Sequence, residues 1–327
     1  MTLVVWRLYP RSVIYWLHLI GSTLATIIPR AVAYRLVEWL AGPSLIFYRR
    51  QRRNALRNMR RQIGRPDQER QARRLVDQVF VNYGKYMVDL LSLPRLTPSQ
   101  LRRQVVAYGL DNIDEGLAEG NGVIVVTAHV GNWDLAGATL AAMGYPVNAI
   151  ADTLEPPKWN AAVQAIRQRL GINPIPLEGG LREMLRSLRR NEILGILIDR
   201  PLSEEGVAVK FFGAETRVPA GAATLALRTG SGVVTAIVVR EGNYYVAHVG
   251  PLIRPCPTGD TARDITSLTQ QFMDQLEVWI RRYPDQWFMF RDMWPTLPEV
   301  SRSNRKAGLR GGATKIVDAR PPGPALR

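Results

Sequence analysis

Two residues capable of acid–base chemistry lie near a predicted strand-to-helix junction in GVIVVTAHVGNWDLAGATLAAMG, residues 122–144. A β-branched apolar run predicts a buried strand over Val123 to Thr127, and small apolar residues at helical spacing predict a helix after Asn132. His129 therefore follows the carboxyl end of a strand, where ligands and chemistry collect in open α/β sheets. Asp134 follows five residues later.

His129 and Asp134 can meet only if the chain turns between them, because on one continuous helix they would lie about 140° apart. Gly131 permits such a turn, and Asn132 is a natural N-cap for the helix that follows. Asp134 then lies in the first helical turn, where the helix dipole favours an ionised carboxylate. Beside an imidazole, such a carboxylate can hold the tautomer and raise the basicity, so the pair is a candidate for general-base chemistry. The alternative is a purely structural histidine at a strand end.

The composition limits the class of protein. The 327 residues are 46% hydrophobic and 22% charged, which is typical of a globular enzyme and excludes disorder throughout. The net charge of +15 favours polyanionic surroundings, either nucleic acid, an anionic membrane face or phosphate-bearing partners. One cysteine and three histidines cannot assemble a disulfide framework or a Cys/His zinc site, so we expect a reducing compartment and no metal.

The first 48 residues predict a membrane anchor. Ser12 to Pro29 is an uncharged run at the lower limit of a membrane span. The next apolar segment, Ala31 to Tyr48, is too amphipathic to cross because it contains Arg35 and Glu38. The two segments favour a membrane-embedded or interfacial helical hairpin over two crossings, with a soluble core hairpin as the alternative.

An arginine-rich segment, Arg49 to Arg74, follows this anchor. Beside an apolar anchor, such a cluster indicates attraction to anionic headgroups, with each cation contributing about 1 kcal/mol, and it predicts the cytoplasmic face. A solvated helix face and a nucleic-acid patch are the alternatives, but aromatic residues are not interleaved as single-strand stacking platforms require. Leu75 to Leu93 predicts an amphipathic helix, so residues 49–104 form a basic and helical segment.

Strands and helices alternate from about Val105, which predicts an α/β fold with a mostly parallel sheet flanked by helices. Strands over 233–239 and 244–249 flank Glu241-Gly242-Asn243 as a hairpin, which makes the sheet mixed. The tail is basic and low in apolar residues, and its composition predicts disorder. The predicted organisation is therefore an anchor over 1–48, the basic helical segment over 49–104, a catalytic α/β domain over 105–295 and a disordered tail over 296–327.

Two sequence blocks resemble those of a known enzyme family. The chain has no G-x-S-x-G elbow and no P-loop, but TAHVGNWDLAG, residues 127–137, resembles the H-x4-D/E signature of the lysophospholipid acyltransferase superfamily. The block is most similar to the branch of lipid A late acyltransferases and phosphatidylinositol mannoside acyltransferases. IDRPLSEEGVAVKFFGAETRVPAGAATLALRTG, residues 198–230, resembles the second block of that branch. The resemblance covers about residues 10–295.

The resemblance implies roles for particular residues. His129 would be the general base and Asp134 its orienting partner. The family's acidic residue and arginine after the next strand fall on Asp152 and Arg167. A third catalytic residue, the acid after the Asp199-Arg200 pair, falls on Glu204, with Ser203 or Glu205 as alternatives if the loop is shifted. The implied substrate-binding residues are Asp152, Arg167, Asp199, Arg200, Asn132 and Trp133.

Acyl transfer from a thioester to a hydroxyl fits these residue types, because it needs a base and oxyanion-stabilising groups but no metal and no cofactor. Arg167 and Arg200 could bind donor or acceptor phosphate through their guanidinium forks, or they could be a surface charge and part of a structural salt bridge, respectively. We expect the apolar faces of the N-terminal helices to border the acyl-chain groove.

The sequence predicts a membrane-associated acyltransferase with acyl-CoA or acyl carrier protein as donor and a glycolipid or lysophospholipid as acceptor. We expect contact with membrane lipids and none with nucleic acid, at the cytoplasmic face of the cell inner membrane, as a peripheral, monotopic or single-span protein. A basic nucleic-acid-binding protein and a catalytically silent membrane protein are the alternatives. The sequence leaves the oligomeric state open.

Overall fold

The structure is a computed structural model that describes residues 27–44, 47–64, 66–201, 206–242 and 244–294. Several predictions lie outside these residues: most of the apolar run Ser12 to Pro29, the loop with Ser203, Glu204 and Glu205, and the tail from residue 296. All described residues fall in one compact unit. The predicted division into four segments stays a prediction.

Within the described residues, four α-helices precede the first strand: α1 (Arg30–Ser44), α2 (Arg49–Ile63), α3 (Glu69–Ser92) and α4 (Pro98–Gln104). α3 begins six residues before the predicted Leu75, at Glu69, whose acidic side chain suits the first helical turn. α4 begins with a capping box in which Thr97 and Gln100 exchange side-chain and backbone hydrogen bonds. Among the described residues, no helix combines the length and the apolar character that a crossing of the bilayer needs.

The rest of the described chain alternates strands and helices as predicted. In order, it contains β1 (Val105–Tyr108), α5 (Asp111–Ala118), β2 (Val123–Thr127), α6 (Trp133–Ala142), β3 (Val147–Ala151), α7 (Pro157–Arg169), β4 (Ile172–Pro176), α8 (Leu181–Arg189), β5 (Ile193–Leu197), β6 (Val207–Phe211), β7 (Ala214–Val218), α9 (Gly221–Thr229), β8 (Gly232–Glu241), β9 (Tyr244–Val249) and α10 (Thr261–Arg282). The predicted limits of β2 and β9 match the observed ones.

Seven strands form one sheet in the order β1-β9-β8-β2-β5-β3-β4. β8, β2, β5, β3 and β4 are parallel, whereas β9 runs antiparallel to β8 and parallel to β1. The predicted α/β fold with a mixed, mostly parallel sheet flanked by helices is confirmed. Because the five parallel strands end at one edge, the residues that follow them are brought together there.

Side chains alternate between the two faces of the sheet, and both faces are covered. On β2, Ile124 and Val126 pack with α9 and α10, while Val123 and Val125 belong to the clusters on the opposite face. A small two-stranded sheet of β6 and β7 lies apart from the main one. The sequence prediction did not identify β7, because its short run AETRV carries two charged residues and has little strand character.

Candidate active site

His129 is positioned by two adjacent parallel strands. Thr127 at the end of β2 pairs with Leu197 at the end of β5, so the residues two positions further on, His129 and Asp199, lie side by side. The turn predicted at Gly131 is present, with φ of 62°. A Cβ atom on Gly131 would lie 1.9 Å from the carbonyl oxygen of Val238, so only glycine fits there.

The side chain of His129 is hydrogen-bonded to Asp199. Nδ1 lies 2.6 Å from Oδ1 of Asp199, and the backbone N–H of His129 donates to Oδ2 at 2.9 Å. The Asp199 side chain is fully buried, whereas 17% of the His129 side chain is exposed. In the described part of the chain, Nε2 of His129 has no hydrogen-bond partner.

Asp199 is held in its ionised form. Burial alone would raise the pKa of this carboxyl, but the attraction to His129 and the hydrogen bonds from His129 and Trp287 outweigh it and lower the pKa. The indole Nε1 of Trp287 donates to Oδ2 at 2.9 Å. Because an ionised carboxylate only accepts, the contact with His129 places a proton on Nδ1 and leaves the lone pair of Nε2 able to accept a proton.

Asp134 has different partners from the one predicted. Its Oδ1 accepts from Nε of Arg167 at 2.7 Å, and its Oδ2 accepts from the hydroxyl of Tyr86 at 2.6 Å. Burial and the negative charge of Asp134 raise the pKa of Tyr86 well above its ordinary value. The expected contact between Asp134 and His129 is therefore corrected: Asp134 joins α6 to α7 and α3, and the carboxylate that follows β5 occupies the position beside the imidazole.

Asn132 and Trp133 lie at the start of α6. Asn132 is buried and caps the helix as predicted, its Oδ1 accepting from the backbone N–H of Leu135 at 2.9 Å. The ring of Trp133 contacts His129 edge-on, with 5.3 Å between centroids, and lies 4.4 Å from the ring of Tyr86. Trp133 therefore forms one wall beside the imidazole.

Asp152 and Arg200 form a salt bridge at the same edge of the sheet. Arg167, the other residue implied together with Asp152, pairs with Asp134. The side chain of Arg200 remains 29% exposed and that of Asp152 44% exposed, which leaves both accessible to a ligand. Glu204 lies outside the described residues.

A segment near the end of the described chain completes the site, and sequence reasoning did not assign it a role there. The backbone N–H of Phe288 donates to the carbonyl of His129 at 2.7 Å. Phe288 and Phe290 pack against Tyr83 of α3. A buried tryptophan usually needs a hydrogen-bond acceptor for its indole N–H. The Trp-rich sequence of this segment could therefore have suggested a polar partner for Trp287, and that partner is Asp199.

The basic helix α2 holds this segment through its buried face. Nδ2 of Asn58 donates to the carbonyls of Met289 at 3.0 Å and Arg291 at 2.7 Å, and its Oδ1 accepts from the N–H of Met293 at 3.0 Å. Asn54 donates to the carbonyl of Phe290 at 3.1 Å. The arginine-rich segment therefore has a structural face in addition to its exposed charges.

An apolar cavity extends from the site between the sheet and α6. Trp133, Asp134 and Arg167 line its end nearest His129, here called its mouth, and side chains of β8, β2, β5, β3 and β4 line the remainder under the helix. No described residue of α1 or α2 lines it, which differs from the expectation that the N-terminal helices border an acyl-chain groove. Its lining includes small residues of the strands, among them Gly195 and Ala149.

A second, more open groove lies at the other end of the sheet, lined by Val106, Tyr108, Glu241, Tyr244, Val246, His248 and Arg282. It contains none of the predicted site residues. Among the described residues, no three His, Cys, Asp or Glu side chains are grouped so that they could hold a metal ion.

Comparison with known proteins gives consistent matches. The family model described as bacterial lipid A biosynthesis acyltransferase matches residues 5–296. A phosphatidylinositol mannoside acyltransferase of Mycobacterium tuberculosis (strain H37Rv) is 34% identical over 235 residues, covering 70% of this chain and 72% of that protein. One from Mycolicibacterium smegmatis is 30% identical over 243 residues, covering 73% and 78%. A lipid A biosynthesis acyltransferase of Haemophilus influenzae is 25% identical over 146 residues, covering 44% and 46%.

Proposed function

Since the chain belongs to the bacterial lipid A biosynthesis acyltransferase family and is an acyltransferase, we propose that it transfers a fatty acyl group to a glycolipid hydroxyl, with His129 as general base. The observation that carries this proposal is the buried, ionised Asp199 on Nδ1 of His129, which leaves Nε2 available for a proton. Transfer of the acyl group requires such a base at the acceptor hydroxyl.

In the proposed reaction, Nε2 of His129 takes the proton of the acceptor hydroxyl as its oxygen bonds to the thioester carbonyl carbon. Asp199 stabilises the imidazolium that forms, because it is ionised and fixed by three hydrogen bonds. The carbon–sulfur bond then breaks, and the imidazolium returns the proton to the leaving thiolate. General-base assistance of this kind is worth about 10²- to 10⁴-fold in rate.

The acyl chain would lie in the cavity under α6. The mouth of the cavity is at Trp133, whose ring also contacts His129, so a chain in the cavity places its thioester near the imidazole. Asp134 and Arg167 would fix this mouth, because their buried ion pair ties α6 to α7. Asp134 is therefore proposed as a positioning residue rather than as the partner of His129.

The proposed acceptor is a phosphatidylinositol mannoside-like glycolipid, since the relatives with that activity are 30–34% identical to this chain. A lipid A-like glycolipid and a lysophospholipid are the alternatives. The proposed donor is acyl-CoA or acyl carrier protein. Arg200 and Asp152 lie half-exposed at the sheet edge and would contact a polar or phosphate-bearing part of either substrate.

We further propose that α1 attaches the site to a membrane surface on the cytoplasmic side. Val32, Leu36 and Trp39 lie on one helical face, and Trp39 is 75% exposed. On α2, six exposed arginines, Arg49, Arg50, Arg53, Arg57, Arg60 and Arg61, would face anionic headgroups. A lipid acceptor would then reach the site without leaving the bilayer surface.

The test is an acyl-transfer assay with the purified full chain and radiolabelled palmitoyl-CoA or palmitoyl carrier protein. The three acceptors are a phosphatidylinositol mannoside, a lipid A precursor and a lysophospholipid, each in detergent micelles. We expect acylation of the phosphatidylinositol mannoside, and loss of turnover in His129→Ala.

The matched control is His248→Ala, which removes the other described histidine, in the second groove, and should retain activity. Acylation by His129→Ala at the rate of the unchanged protein would refute the general-base role. A protein that acylates none of the acceptors but binds DNA with a steep salt dependence would instead support the nucleic-acid alternative.

A further inference from the structure

The cavity under α6 is built in layers that follow the pairing of the strands. At its mouth, Thr127 pairs with Leu197. The middle layer is a row across three strands in which Val125 pairs with Gly195 and Gly195 with Ala149. The layer farthest from the mouth is lined by bulky side chains of β5, β3, β4 and α6, namely Ile193, Val147, Ile172 and Leu140.

The length of the cavity follows from strand geometry. Leu197 and Ile193 lie on the same face of β5, four residues apart, which corresponds to about 13 Å at about 3.3 Å per residue. Gly195 is halfway along this path. An extended hydrocarbon chain that enters at Trp133 must therefore pass Gly195 before it reaches the closed end.

Gly195 has no structural reason to be glycine. It lies inside a central strand, where glycine weakens the strand relative to alanine. Its φ is not in the left-handed region, and a Cβ atom there would meet only the carbonyl oxygen of Asn148, at an ordinary contact distance of 3.6 Å. Neither the backbone nor the packing requires the missing side chain.

Gly137 of α6, across the cavity, gives the contrast. A Cβ atom on Gly137 would lie 2.8 Å from Cδ1 of Ile172, so this glycine is required for the helix to approach the sheet. A strand glycine often marks a bulge, a bend, or the close approach of another backbone or a ligand. At Gly195 the strand pairs regularly on both sides and the nearest backbone atom is at an ordinary distance, which leaves a ligand. The space above Gly195 opens into the cavity, so the ligand is the occupant of the cavity.

We propose that Gly195, with Ala149 beside it, determines which acyl chains the enzyme accepts, by leaving the middle of the cavity open to a long unbranched chain. This rests on the proposed acyl transfer. Larger side chains at these two positions would close the cavity at half its depth. The floor formed by Ile193 and Leu140 would then be out of reach.

The experiment compares the full-length protein with Gly195→Ala, Gly195→Val and Ala149→Val. For each, kcat/KM is measured with saturated acyl-CoA donors from octanoyl to stearoyl, and affinity is measured with the corresponding non-transferable thioether analogues. Gly221→Ala is the matched control, since its Cβ would meet nothing within 4 Å and Gly221 does not line the cavity.

For Gly195→Val and Ala149→Val we expect a shift to shorter chains, with the long-to-short ratio of kcat/KM falling at least tenfold. Each methylene that is kept out of the cavity should cost about fourfold. Gly195→Ala should fold at least as stably as the unchanged protein, show a smaller shift in the same direction, and decide the question if the valine variants do not fold.

The inference is overturned if all donors lose activity equally, or if the chain-length profile does not change. Binding of the thioether analogues distinguishes a wrong role for Gly195 from a wrong proposed function. A protein that turns over thioesters but shows an unchanged profile refutes only the role of Gly195. A protein that neither binds the analogues nor turns over any donor refutes both.

Discussion

His129 and Asp199 lie 70 residues apart in the sequence, and their side chains meet through a contact of 2.6 Å between Nδ1 and Oδ1. The contact follows from the order of the strands, because β2 and β5 are parallel neighbours and both residues stand two positions beyond a paired strand end. The indole N–H of Trp287 also donates to Asp199 and helps to hold the carboxylate in place.

Replacing Asp199 with asparagine should abolish most of the activity while substrate binding is retained. The amide nitrogen of asparagine can donate to Nδ1, which would move the imidazole proton to Nε2 and remove the base. We expect kcat to fall by about 10²- to 10⁴-fold with little change in KM. Asp114→Asn, at an exposed carboxylate of α5, is the control in the same steady-state assay. A wild-type kcat in Asp199→Asn would show that the tautomer is set by another group.

The lowered pKa of Asp199 predicts a pH dependence of stability. A carboxyl whose folded pKa is below its unfolded value of about 3.9 stabilises the folded state above that pH. This contribution is lost as the pH falls through the folded pKa, because the unfolded state binds more protons. Urea unfolding at a series of pH values should therefore show that the stability advantage over Asp199→Asn shrinks below about pH 4. An advantage that persists or grows into more acidic solution would contradict the sign.

Asn58 should matter much more to stability than its neighbour Arg57, although both contact the same segment. Asn58→Ala leaves the carbonyls of Met289 and Arg291 and the N–H of Met293 without their partner, which should cost about 2–4 kcal/mol. Arg57 forms an exposed salt bridge to Asp292, worth at most about 1 kcal/mol. Urea unfolding of both alanine variants gives the comparison. Equal losses would mean that α2 holds the segment through charge rather than through Asn58.

The exposed apolar face of α1 should contribute to vesicle binding. Leu36→Ser with Trp39→Ser removes two large exposed side chains, and burial of such side chains is worth about 1.5–3 kcal/mol each. We expect at least a tenfold loss of binding to anionic phospholipid vesicles in a sedimentation assay. Tyr244→Ser, which removes a half-exposed aromatic ring from β9, is the control. Equal binding by the two variants would place the membrane contact elsewhere in the chain.

The sequence was most informative where local patterns determine structure. The β-branched run of β2 and the cap at Asn132 depend on neighbouring residues, and both are confirmed. The partner of His129 could not be identified in this way, because it depends on β5 lying next to β2 in the sheet. Asp134 was the nearest acid along the chain, but its position in α6 directs it to Arg167 and Tyr86.

The cavity under α6 could not be anticipated from the sequence for a similar reason. The N-terminal segments were the most apolar part of the sequence, whereas the cavity under α6 depends on small residues such as Gly195 and Ala149 in strands that are not adjacent in sequence. The composition of a sequence cannot indicate an internal cavity. This cavity can be recognised only from the register of β5 with β3, which places Gly195 beside Ala149.

Gly120 and Gly131 both have positive φ, but alanine should destabilise the fold more at Gly131 than at Gly120. The difference in unfolding free energy measures the close contact between Gly131 and the carbonyl oxygen of Val238, in the turn after His129. Gly120 has φ of 81°, and a Cβ atom there would meet nothing within 4 Å, so Gly120→Ala should cost about 1–2 kcal/mol from backbone strain alone. Gly131→Ala adds a collision with the carbonyl oxygen of Val238, which is held by the N–H of Asn132 at 2.7 Å.

We therefore expect Gly131→Ala to be clearly less stable than Gly120→Ala in urea unfolding, and to lose acyl transfer even at temperatures where it remains folded. The loss of acyl transfer follows because the turn at Gly131 sets the orientation of His129, which follows β2, and of Trp133, which begins α6. Equal stability of the two variants, or full activity of folded Gly131→Ala, would show that the turn can relax without moving the imidazole from Asp199.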